Sequence, residues 1–121
     1  MTKILLVDDH SVIRQLIRVT LGKTYEVLEA EDGKTGLDIA QRQKPDLVVL
    51  DVMMPGAMDG LQVLDAIKGD PQLKHTRVIM VTARGQVNDY DDGVRRGADA
   101  YFIKPFSPLQ LVAAIKEMLD K

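Results

Sequence analysis

The chain lacks cysteine and tryptophan altogether, has two histidines, and is only 4% aromatic. Without cysteine there is no disulfide framework and no thiolate chemistry, which fits a reducing compartment. Two histidines and no thiols also leave zinc little to hold it. No apolar stretch approaches the roughly 20 residues of a membrane helix, and the first one, in MTKILLVDDH, runs straight into acid, unlike a signal peptide. A cytoplasmic protein without membrane association is expected. Charge of one sign is lacking too: 16 basic against 18 acidic residues give a net charge of -2. That balance offers no footprint for direct nucleic-acid binding. At 121 residues the chain fits one domain, residues 1–121, long enough to bury a substantial core. No internal repeat, low-complexity segment or linker divides it.

Short apolar runs alternate with stretches of helical period. The runs are Ile4 to Val7, Tyr25 to Ala30, Leu47 to Leu50, Val78 to Val81 and Ala100 to Ile103. Ile13, Leu16, Ile17 and Leu21 share a helical face, as do Leu61, Leu64 and Ile67, and then Leu109, Val112, Ile115 and Leu119. Gly22, Gly69 and Gly97 stand where helices should stop, Arg95 and Arg96 suit a last helical turn, and Ser107 before Pro108 reads as an N-cap with proline at N1. Regular alternation of this kind predicts a parallel sheet with right-handed crossovers and helices on both faces.

In such a sheet, function gathers beyond the carboxyl ends of the strands. The first run ends in Asp8 and Asp9, the third in Asp51, the fourth in Thr82 and Ala83, the fifth in Lys104 and Pro105. If strands one and three are neighbours, three carboxylates share one crevice. Two of them about 4 Å apart repel by about 4 kcal/mol at an effective dielectric of about 20. Lys104 is one candidate to offset this and a hard divalent cation such as Mg²⁺ is the other. Neither cysteine nor a suitably spaced histidine offers a nucleophile, but a carboxylate can itself form an acyl phosphate. Taken singly, these residues also read as a helix cap, a turn aspartate, a strand-end hydroxyl and a solvated lysine. Their joint placement at four strand ends has no shared explanation of that kind.

ILLVDDH, LVVLDVMMP, VIMVTA and GADAYFIKPF together make the chain resemble the receiver domains of bacterial two-component response regulators, the CheY-like family. The resemblance spans essentially the whole sequence. It implies a three-layer flavodoxin-like (βα)5 fold with strand order 2-1-3-4-5, and a signalling switch rather than an enzyme. It further implies Asp51 as phosphoacceptor from a sensor histidine kinase or phosphotransfer protein. Mg²⁺ would be held by Asp8, Asp9, Asp51 and the Met53 carbonyl, with Asp8 acting through water. Thr82 and Lys104 would grip the phosphoryl oxygens, Thr82 and Tyr101 would form the switch, and the Lys104–Pro105 bond would be cis. The output surface would be the fourth predicted helix, the fifth strand and the fifth predicted helix, acting on a downstream protein or on an output domain of a longer regulator. One departure stands out: Gly56 and Ala57 both intervene between Pro55 and Met58-Asp59-Gly60, where the family usually has one residue.

Three further expectations come from this chain's own residues. The segment GQVNDYDDGVRR is poor in helix formers, so the fourth predicted helix should be the least protected element. By the resemblance, Met53 and Arg84 stand where side chains flank the path of a hydrolytic water, and the long Met and cationic Arg found there should slow loss of the phosphoryl group. His10, with no spaced partner, reads as a surface residue. Two alternatives from other classes are weaker. An Mg²⁺-dependent phosphatase with an aspartyl nucleophile carries a second acid two residues on, where this chain has Met53. A flavodoxin binding FMN would find its phosphate repelled by Asp8 and Asp9.

Overall fold

The computed structural model describes residues 1–83 and 96–120. Five strands, β1 (Lys3–Val7), β2 (Glu26–Ala30), β3 (Leu47–Asp51), β4 (Arg77–Ala83) and β5 (Ala100–Lys104), form one parallel sheet of order β2-β1-β3-β4-β5. Among the described residues the helices are α1 (Ser11–Leu21), α2 (Gly33–Gln43), α3 (Gly60–Lys68) and α4 (Pro108–Leu119), with a 3-10 turn at Pro71–Leu73. The expected flavodoxin-like architecture is therefore observed. The expected helix in GQVNDYDDGVRR, and Arg84 and Arg95, lie outside the described residues.

Alternation along the strands sorts the core into two halves. Leu5, Val7, Val48, Leu50, Val78 and Met80 face α2 and α3. Ile4, Leu6, Leu47, Val49, Ile79 and Val81 face α1 and α4. The three inner strands carry apolar residues toward both layers, which is why their sequences read as continuous hydrophobic runs.

Local signals mostly act as expected. Gly22 caps α1 at φ 74°, and the Gln110 N–H donates to the Ser107 hydroxyl at 3.2 Å to start α4. Asp59 and Gln62 form a reciprocal capping box at the start of α3. Two helical faces differ from expectation. Leu16 is half exposed and Leu109 is 75% exposed, while Leu111 is fully buried. Leu109 lies in the first turn of α4, and the buried stripe there runs through Leu111, Val112 and Ile115 instead.

Candidate functional site at the carboxyl edge of the sheet

Period-two alternation predicts which strand-end residues can meet. Asp8 continues the parity of Ile4 and Leu6, Asp51 that of Leu47 and Val49, and Lys104 that of Ala100 and Phe102, all on the α1 and α4 side. The three side chains do converge. Lys104 Nζ lies 3.2 Å from Asp51 Oδ2 and 3.3 Å from Asp8 Oδ2, bridging the ends of β1, β3 and β5. Asp8 and Asp51 are buried, at 7% and 4% exposure.

Each acid is held by backbone as well. The Asp8 N–H donates to the Ala30 carbonyl at 3.1 Å, extending the β1–β2 pairing one residue past the strand. The Met53 N–H donates to Asp51 Oδ1 at 3.3 Å. The chain then turns, and the Gly60 N–H donates to the Val52 carbonyl at 2.8 Å. A Cβ on Gly60 would sit 2.1 Å from the Asp51 carbonyl oxygen, so only glycine lets α3 start this close to the acid. The additional loop residue is absorbed upstream of this contact. Gly56 takes φ 100° with open space around it, while Met54 and Met58 on either side pack onto the core.

Burial and the neighbouring Asp8 charge push the Asp51 carboxyl above its ordinary value, outweighing the pull of Lys104. Burial lowers the Lys104 ammonium, but Asp51 and Asp8 more than compensate and its pKa is raised. One lysine thus bridges two of three neighbouring carboxylates, Asp8 and Asp51, beside Asp9. Carboxylate oxygens of Asp8, Asp9 and Asp51 lie within 4.8 Å of one another, a hard-donor set that fits a small divalent cation.

Thr82 is buried one residue beyond Val81, which pairs with Asp51. Tyr101 pairs with Met80 and packs against the α2 and α3 half of the core, with its hydroxyl out of solvent. The Lys104–Pro105 peptide bond is cis. Met53 is 59% exposed beside Asp51.

Two features were not read from the sequence. His10 has a partner after all: its Nδ1 lies 2.9 Å from Asp8 Oδ1 and 3.2 Å from Asp9 Oδ1. The signal was its place two residues after Asp8, where the His10 N–H donates to Asp8 Oδ1 at 2.8 Å and turns the ring back. Behind the site, Arg14 Nη1 donates to the Asp8 carbonyl, while Arg14 and Arg18 both bind Glu29, at 3.0 and 2.7 Å. Despite desolvation, these two guanidiniums hold the Glu29 carboxyl below its ordinary value.

The response regulator receiver domain model matches residues 4–116, and the chain belongs to that family. It is 41% identical over 119 residues to the phosphate regulon transcriptional regulatory protein PhoB of Pseudomonas aeruginosa, covering 98% of this chain and 52% of PhoB. It is 40% identical to the transcriptional regulatory protein ResD of Bacillus subtilis, covering 99% of this chain and 49% of ResD. The structure of the chemotaxis response regulator CheY4 of Vibrio cholerae superposes with TM-score 0.86 at 35% identity, covering 97% of this chain and 98% of CheY4. The chain spans about half the length of the curated relatives it matches. It is a receiver domain of the two-component signalling class. No helix among the described residues is long and apolar enough to cross a membrane.

Proposed function

We propose that residues 1–121 form one receiver unit, acting in the cytoplasm, that takes a phosphoryl group onto Asp51 from a phosphohistidine of a sensor kinase or phosphotransfer protein. The observation that carries this reading is the Lys104 bridge between two buried carboxylates at neighbouring strand ends. In the transfer, an Asp51 oxygen attacks phosphorus, an O–P bond forms, the P–N bond breaks, and its electron pair stays on the donor imidazole. Lys104 Nζ, already 3.2 Å from Asp51 Oδ2, follows the charge onto the transferred oxygens, and the Thr82 hydroxyl donates to another of them. Asp8, Asp9, Asp51 and the Met53 carbonyl would hold Mg²⁺, which supplies the remaining counter-charge. Roughly two negative charges then replace one. Thr82 is drawn toward them, and Tyr101, on the same side of the sheet as Met80, responds to the space left behind.

The rim beside Lys104 suits the phosphodonor. Ile13, Leu16, Pro105, Phe106 and Pro108 line an apolar hollow with Lys104, and Val12, Leu16 and Val19 form an exposed stripe along α1. The output would be a partner protein or an output domain in a longer regulator. Intact mass after incubation with acetyl phosphate tests the reading: one Mg²⁺-dependent phosphoryl adduct is expected on the wild type and none on Asp51→Asn. An adduct on Asp51→Asn, or none on the wild type, would overturn it.

A further inference from the structure

His10 is the one histidine in the acidic cluster. The other, His75, is exposed just before Arg77, at the amino ends of the strands. Three observations bear on what His10 does there. Its Nδ1 lies 2.9 and 3.2 Å from carboxylate oxygens of Asp8 and Asp9 on a side chain that is 58% exposed, so without a cation Nδ1–H donates to them, and ligation through Nδ1 requires the imidazole proton to move to Nε2, which the exposed ring allows. The His10 N–H donates to the same Asp8 oxygen at 2.8 Å, which holds the main chain from which the ring projects against Asp8. One ligand atom each from Asp8, Asp9, His10 and Asp51 all fall within 4.8 Å of one another. Opposite ligands of an octahedral ion with bonds of about 2.1 Å stand about 4.2 Å apart, so four donors drawn into this span are already near the size of a coordination shell.

We propose that His10 Nδ1 is a nitrogen ligand of the cation site, and that it gives this chain a preference for first-row transition dications over Mg²⁺ that the carboxylates alone would not confer. The inference rests on the cation site proposed above and adds a donor to it. Carboxylate, carbonyl and water oxygens suit Mg²⁺, whereas imidazole adds affinity for the borderline metals and little for a hard ion. Because His10 starts α1 as its N-cap without a side-chain capping bond, its ring is available for this role at no cost to the helix.

Calorimetric titrations with Mg²⁺ and with Co²⁺, on wild type, His10→Gln and His75→Gln, test this. His10→Gln should weaken Co²⁺ binding about tenfold while Mg²⁺ affinity changes by no more than about twofold, and His75→Gln should change neither. Proton NMR of the Co²⁺-loaded protein should show strongly shifted imidazole ring resonances that disappear in His10→Gln and persist in His75→Gln. Mg²⁺ binding with equal loss of both metals in His10→Gln, no loss of either, or absence of shifted ring resonances would overturn the nitrogen ligand while leaving the cation site standing. If neither metal binds the wild type, the cation site itself fails, and the ligand assignment with it.

Discussion

At the scale of single residues, the site is a conflict of charges held in place by backbone. Asp51 is buried beside Asp8, and its carboxyl is raised by desolvation first and by that neighbour second. In the absence of a divalent cation, the folded protein therefore keeps a proton on Asp51 over a pH range where the unfolded chain has lost it. Stability falls as pH rises through that range. Asp51→Asn removes the penalty, while Lys104 retains Asp8 at 3.3 Å. The metal-free variant should melt about 4 °C higher than wild type near neutral pH, a gain of about 1 kcal/mol, and the gain should vanish at about pH 3. Thermal unfolding at the two pH values checks it. Gly60 poses the opposite case, a residue needed for what it lacks. Gly60→Ala places a methyl 2.1 Å from a backbone oxygen that cannot swing away, so a loss of about 2 kcal/mol or more is expected, with slower phosphorylation from acetyl phosphate. Urea denaturation and intact mass measure the two effects. Met53, exposed at the mouth of the site, carries a further expectation: Met53→Ala should shorten the lifetime of the acyl phosphate, followed by mass over time.

At the scale of elements, strands were more legible than helix faces. The inner strands are apolar toward both layers, so their runs were plain, and the parity of Asp8, Asp51 and Lys104 follows from the same period of two. The helix stripes misled at Leu16 and Leu109, because periodicity finds apolar residues without saying which of them the neighbouring layer covers. Apart from the meeting of Lys104 with Asp8 and Asp51 at the strand ends, long-range polar contacts were not legible. Nothing in the sequence pairs Arg14 and Arg18 on α1 with Glu29 on β2, yet this network braces the carbonyl of Asp8. Glu29 is lowered below its ordinary value, so its contribution is present above that value and is lost as pH falls through the lowered one. Glu29→Gln should cost about 1 kcal/mol near neutral pH, a figure kept small by partial exposure, and nothing in strong acid. Urea midpoints at both pH values test the sign.

At the scale of the whole molecule, the sheet acts as a rigid post that places residues distant in sequence at one edge, and α1 borders that edge with an apolar stripe. The fold class was readable because strand and helix signals agreed along the chain, whereas the strand order, and hence the meeting of Asp8 with Asp51, came from resemblance and not from periodicity. If the stripe seats the phosphodonor, Leu16→Asp should slow phosphorylation from a phosphotransfer protein at least tenfold while leaving acetyl phosphate reactivity and stability nearly unchanged, since Leu16 is half exposed. The proposed sharing of one cation by acids from separate strands is tested most directly by a ¹⁵N-resolved NMR titration with Mg²⁺. Saturating shifts at Asp8, Asp9, Asp51 and Met53, with one common affinity that Asp9→Asn abolishes, are expected. Shifts confined to the amino ends of the strands, or separate affinities for β1 and β3, would contradict it.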